Sequence, residues 1–91
     1  MRISPRQLRA ARALLGWSRA DLADKSIVSP TTIGDIERNE VDPRAGSIDR
    51  IVEALESAGV ELLHADSEGI GEGVRLVRKL AEMSAGKKAG G

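Results

Sequence analysis

The stretch Gly16-Trp17-Ser18-Arg19-Ala20-Asp21-Leu22-Ala23, followed by Val28-Ser29-Pro30-Thr31-Thr32-Ile33 and then Ile36-Glu37-Arg38, contains two helix starts a short distance apart. Ser18 with Asp21 three residues on is a capping signal. The hydroxyl accepts from the third helical backbone N–H while the acid reaches back to the cap. Leu22 and Ala23 supply the apolar face of a short helix running to about Lys25. Ser29-Pro30 starts a second helix, because the fixed φ of proline suits the first helical position. Ile33 and Ile36 form its inward face, and Thr31, Thr32, Asp35 and Arg38 place hydrogen-bonding groups on the other.

Two short helices so close together are the sequence form of a helix-turn-helix. Upstream, Ser4-Pro5-Arg6-Gln7 repeats the cap and first-position logic, and Gln7 completes a capping box. Leu8, Ala11 and Leu15 form one buried stripe, which Gly16 ends as a left-handed cap. Trp17 reads as a large anchor where helices meet rather than as a ligand-stacking group. Downstream, Asn39 to Gly46 holds Pro43 and little apolar content, so a loop is expected. Ser47 to Ala58 is amphipathic, with Ile48, Ile51, Val52, Leu55 and Ala58 on one stripe and Asp49, Arg50, Glu53 and Glu56 outside. Gly59 stops it.

Beyond Gly59 the period changes. Val60-Glu61-Leu62-Leu63-His64 and Val74-Arg75-Leu76-Val77-Arg78 flank a polar, glycine-bearing stretch from Ala65 to Gly73, which predicts a β-hairpin with a long loop. The spacing of Val74, Val77, Leu80 and Ala81 also fits a helix, and both readings stand at this level. The expected division is a helical domain over 1–59, a hairpin over 60–78 and a short helical or flexible tail over 79–91, whose glycines and lysines from Ser84 onward suit flexibility.

The 91 residues allow one small domain, with one aromatic residue and an aliphatic core too modest for a large substrate pocket. With no cysteine and a single histidine, His64, disulfides, a cysteine nucleophile and Cys/His zinc sites are excluded. No apolar run approaches a membrane span and Met1 to Ala20 has no signal-peptide core, so a cytoplasmic protein is expected. The 14 basic and 14 acidic residues cancel. Their distribution does not: residues 1–44 hold 8 basic and 6 acidic, 45–69 hold 1 and 6, and 70–91 hold 5 and 2. Arg2, Arg6, Arg9, Arg12 and Arg19 all precede the first acid, Asp21. A basic start is thus joined to an acidic middle, and a polyanion partner remains compatible with a neutral total.

Catalysis has little support. The carboxylates are scattered over solvated helix faces, and no serine occupies a nucleophile elbow. Gly69-Ile70-Gly71-Glu72-Gly73 lacks a following phosphate-binding lysine motif, and its neighbours Asp66, Glu68 and Glu72 would repel an anion. His64 has no second ligand to join it in a metal site. No enzyme, metal or cofactor is expected.

The residues quoted at the outset resemble the Cro/C1-type helix-turn-helix of phage repressors and related regulators, the XRE family, over roughly residues 4 to 58. The later Gly-Val-Glu-Leu and Gly-Val-Arg-Leu are similar to small bacterial regulators in which a strand pair replaces a fifth helix. The resemblance implies a mainly α, lambda-repressor-like four-helix DNA-binding domain with a C-terminal β-hairpin. It also implies that the second paired helix enters the major groove. Base contacts then fall to Pro30, Thr31, Thr32 and Asp35, and phosphate contacts to Arg19, Ser29, Arg38 and Arg44. Asp35 can only accept, from cytosine or adenine amino groups, or else pair with Arg38 at i+3. Arg6 and Arg9 are either further phosphate contacts or solvated charge. Arg12 and Glu37 match a structural ion pair between the first and third helices. Ile27 stands where the family usually has glycine, so the turn either takes another geometry or strains a β-branched residue.

The implied function is a transcriptional regulator binding double-stranded DNA as a homodimer on two half-sites, with the acidic fourth helix or the strand pair 60–78 as dimer contact. The alternative is a protein-interaction module on the same fold, such as an antitoxin or regulator subunit, with a protein partner and weak DNA binding.

Overall fold

The computed structural model describes residues 2–40, 44–66 and 71–77. Its elements are α1 (Pro5–Leu15), α2 (Arg19–Ser26), α3 (Pro30–Glu37), α4 (Ala45–Ser57), β1 (Val60–Leu63) and β2 (Gly73–Leu76). This is the mainly helical, four-helix arrangement with a C-terminal hairpin expected from the sequence. The tail over 79–91, Arg78 and most of the rival helical stretch with Leu80 and Ala81 lie outside the described residues. So do 67–70 of the hairpin loop and Pro43. Gly73–Leu76 itself is strand. Among the described residues no helix is long and apolar enough to cross a membrane.

Local chemistry explains three of the four helix starts. Ser4 and Gln7 form a reciprocal capping box, as do Ser18 and Asp21, while Ser29 accepts from the Thr32 backbone. The capping bond from the Ser18 backbone N–H holds the Asp21 carboxyl below its ordinary range. The fourth start corrects the sequence reading: α4 begins at Ala45, two residues before the expected Ser47. Its cap is Arg44, whose side chain makes no capping bond. The helix is started instead by the Arg44 carbonyl, which accepts from Ser47 and Ile48, so no capping side chain marked it in the sequence.

Gly16 closes α1 in the left-handed region at φ 68°, with its N–H donating back to α1 carbonyls. Ile27 closes α2 in the same region, at φ 57° and ψ 41°. The turn between α2 and α3 therefore keeps the glycine-type geometry, and the strain falls on a β-branched residue whose side chain is 78% exposed. Such a conformation costs an L-residue about 1–2 kcal/mol.

Ile3, Leu8 and Ala11 from the N-terminal segment, Leu22, Ile33 and Ile36 from the paired helices, Val28 from the turn between them, and Ile48, Ile51, Val52 and Leu55 from α4 form one core with Val60. Burying a side chain of this size contributes about 1.5–3 kcal/mol. Trp17 packs on the edge of this core, as an anchor should.

The hairpin pairs Val60 with Leu76, Glu61 with Arg75, Leu62 with Val74 and Leu63 with Gly73. Directly opposed residues share a face. Val60, Leu62 and Val74 turn towards the core, while Glu61 and Arg75 form an ion pair on the solvent side. The loop end of the hairpin is tied to α1 by a buried glutamine. Gln7 Nε2 donates to the carbonyls of Leu63 at 2.8 Å and Gly73 at 3.1 Å, while Oε1 accepts from the Ser4 backbone. Arg6 adds an ion pair to Glu72 at 3.1 Å.

Candidate nucleic-acid interface

The surface of interest is built on one buried acid. Glu37 ends α3, and its side chain is completely shielded from solvent. Burial alone would push its carboxyl up. The bonds and charges of Arg12 and Arg19 more than offset that, and the pKa lies below the ordinary glutamate range. Arg12 donates from Nε to Oε2 at 2.6 Å and from Nη2 to Oε1 at 3.0 Å, with Nη1 bonded to the Trp17 carbonyl at 2.9 Å. Arg19 donates from Nε to Oε1 at 3.0 Å. Arg9 reaches from α1 to the Glu37 backbone carbonyl. Three guanidiniums from α1 and α2 thus converge on one residue of α3, and its single carboxylate cannot neutralise them all.

The Arg12–Glu37 pair expected from the family resemblance is present. Arg19, which the resemblance assigns only to phosphate, also belongs to this cluster: its Nε faces Glu37, and its side chain as a whole is 44% exposed. Arg9, on the sequence either a phosphate contact or solvated charge, does a third thing by capping a carbonyl at the end of α3. A cation favours that end of a helix, and because Arg9 and Glu37 lie 28 residues apart the contact leaves no local signal. Arg6 turns away to the hairpin.

On the outer face of α3, Pro30 and Thr31 are exposed, with Thr32 and Asp35 half-buried beside them. Ser29 is committed to capping, accepting from the Thr32 backbone at 3.1 Å and donating to Thr32 Oγ1 at 2.9 Å. Asp35 Oδ1 accepts from Arg38 Nη2 at 2.7 Å, the i+3 pair that the sequence left open, and Arg38 Nε also donates to Glu40 at 3.1 Å. Arg44 is exposed at the start of α4.

Arg19 and Arg38 both extend over Gly34. A Cβ placed on that glycine would lie 3.0 Å from Arg38 Nη1 and 3.5 Å from Arg19 Nη1. The face that carries Thr31 and Asp35 therefore has two adjoining cations along its C-terminal turn. Exposed hydroxyls beside paired guanidiniums suit a surface that reads base edges and grips phosphate oxygens.

A family model described as helix-turn-helix, of the Cro/C1 type, matches residues 8–62, from the first turn of α1 into β1. No curated protein matches the chain.

Proposed function

Because this chain belongs to the Cro/C1-type helix-turn-helix family, also called XRE, we propose that it is a sequence-specific transcriptional regulator that binds duplex DNA as a homodimer. The carrying observation is the pairing of an exposed α3 face, with Thr31 at its N-terminal end, with the guanidiniums of Arg19 and Arg38 beside it. In this reading Pro30, Thr31, Thr32 and Asp35 lie in the major groove. Thr31 offers a hydroxyl to a base and a methyl to thymine. Asp35 is already held by Arg38, so its role is to orient that cation as much as to accept from a base amino group. Arg19, Ser29, Arg38 and Arg44 meet the sugar-phosphate backbone, and the reading includes a cytoplasmic location.

One such module buries too little surface for tight specific binding, and two copies supply two half-sites. The dimer contact in this proposal is the hairpin, whose β2 is an edge strand with Leu76 41% exposed. Selection from random duplexes tests the reading: it should enrich a two-fold symmetric motif with half-sites about one helical turn apart. Recovery of no motif would sink sequence-specific binding.

A second reading, a protein-interaction module such as an antitoxin, is favoured by Ile27. This exposed, strained residue borders an open groove that Trp17 and Ala54 also line. Co-purification of one partner protein, combined with no enriched DNA motif, would select this reading over the first.

A further inference from the structure

Gly34 sits inside the eight-residue α3, where glycine is the poorest helix former short of proline. Its backbone does not require glycine, because the positive φ glycines among the described residues are Gly16 and Gly59. What a side chain here would disturb is the pair of arginines above it. A Cβ at this position would crowd Arg38 Nη1 at 3.0 Å and touch Arg19 Nη1 at 3.5 Å. Both side chains are tethered from behind: Arg19 through Nε on Glu37, and Arg38 through Nε on Glu40 and Nη2 on Asp35. Among the described residues neither Nη1 makes a hydrogen bond, and the two lie no farther apart than the sum of the two distances to that Cβ position. Glu37 is already gripped twice by Arg12, so its charge does not cancel that of Arg19. Asp35 and Glu40 offset the charge of Arg38 from its Nε and Nη2 sides, so the two Nη1 groups face one another with no carboxylate of the described residues between them, and an anion placed there is attracted by both. A phosphodiester accepts from two guanidiniums at once through charge-assisted bonds.

We infer that Arg19, Gly34 and Arg38 form one phosphodiester site of duplex DNA, with Gly34 as a positioning residue whose missing side chain lets both cations reach the same phosphate. The inference rests on the DNA-binding reading above and sharpens it: the two arginines act as a unit on one phosphate.

The test is an anisotropy titration of the full chain with a short mixed-sequence duplex over a salt series. The variants are Gly34→Ala, Arg19→Ala, Arg38→Ala, the double arginine variant, and Gly34→Ala combined with Arg38→Ala. Gly34→Ala should raise the thermal midpoint by a few degrees, since alanine is the better helix former and the crowded atom ends a flexible side chain. It should nevertheless weaken binding about tenfold, and add nothing once Arg38 is gone. Loss of either arginine should leave the log–log salt slope nearly unchanged, and loss of both should lower it by about 0.9. Unchanged affinity in Gly34→Ala, or arginine effects that add and lower the slope by about 0.9 each, would overturn the shared site and leave DNA binding standing. Absence of binding by the unsubstituted chain at low salt would overturn both.

Discussion

Arg12 grips Glu37 with two hydrogen bonds, Nε to Oε2 at 2.6 Å and Nη2 to Oε1 at 3.0 Å, across the packing of α1 on α3. The carboxylate is fully buried, so removing its main partner strands a charge. Arg12→Ala should cost about 3 kcal/mol, at the low end for a broken buried pair because Arg19 still holds one oxygen. Replacing both residues by aliphatic ones of similar volume should cost less than the sum of the single changes. Urea unfolding of the two single variants and the double variant measures this, and a strictly additive result would show the pair to be uncoupled.

Acid should unfold the protein partly through Glu37. Its folded pKa is lowered despite burial, because Arg12 and Arg19 stabilise the charged form. Below the ordinary glutamate value of about 4.3 the unfolded chain binds a proton that the folded chain resists. This contribution is therefore complete above that value and is lost as pH falls through the lower folded pKa. Urea midpoints measured on descending pH should show the loss, and Glu37→Gln should flatten it. An identical acid profile in that variant would assign the effect to other carboxylates.

The turn between the paired helices holds strain that glycine would remove. Ile27 lies at φ 57° with its side chain 78% exposed, so Ile27→Gly gives up little packing. Relief of about 1–2 kcal/mol is offset in part by the greater freedom of glycine in the unfolded chain. The net expectation is a gain of about 0.5–1 kcal/mol in denaturant unfolding, with DNA affinity unchanged. A loss of stability would mean that Ile27 packs more productively than its exposure indicates.

Gln7 joins the helical unit to the hairpin. Gln7→Ala should leave the carbonyls of Leu63 and Gly73 without their α1 donor and cost about 1–3 kcal/mol. Hydrogen exchange should quicken at the hairpin amides well before those of α4. If the hairpin forms the dimer contact, the dimer should also dissociate at higher protein concentration. Equal protection of hairpin amides in both forms would show that apolar contacts alone hold it in place.

The helices and strands were legible because their signals are local. Ser4, Ser18 and Ser29 each announce a helix start through a signal about four residues long, and Gly59 marks the change from helical to alternating period. α4 starts two residues before the Ser47 that the sequence predicts, for the same reason in reverse: its cap, Arg44, contributes only a backbone carbonyl. The Arg12–Glu37 pair came from family resemblance, and no spacing along the chain would have found it.

The sequence by itself determined the order and type of the elements, the helix-turn-helix and the inward stripes, since capping and periodicity act between residues a turn apart. Tertiary structure alone decided the partnerships. Arg9, Arg12 and Arg19 converge on Glu37, Gln7 reaches two hairpin carbonyls, and Arg19 and Arg38 both extend over Gly34. Those contacts depend on how α1, α2 and α3 pack against one another. That packing is set by the whole aliphatic core, and no local run of residues encodes which long polar side chain will end beside which.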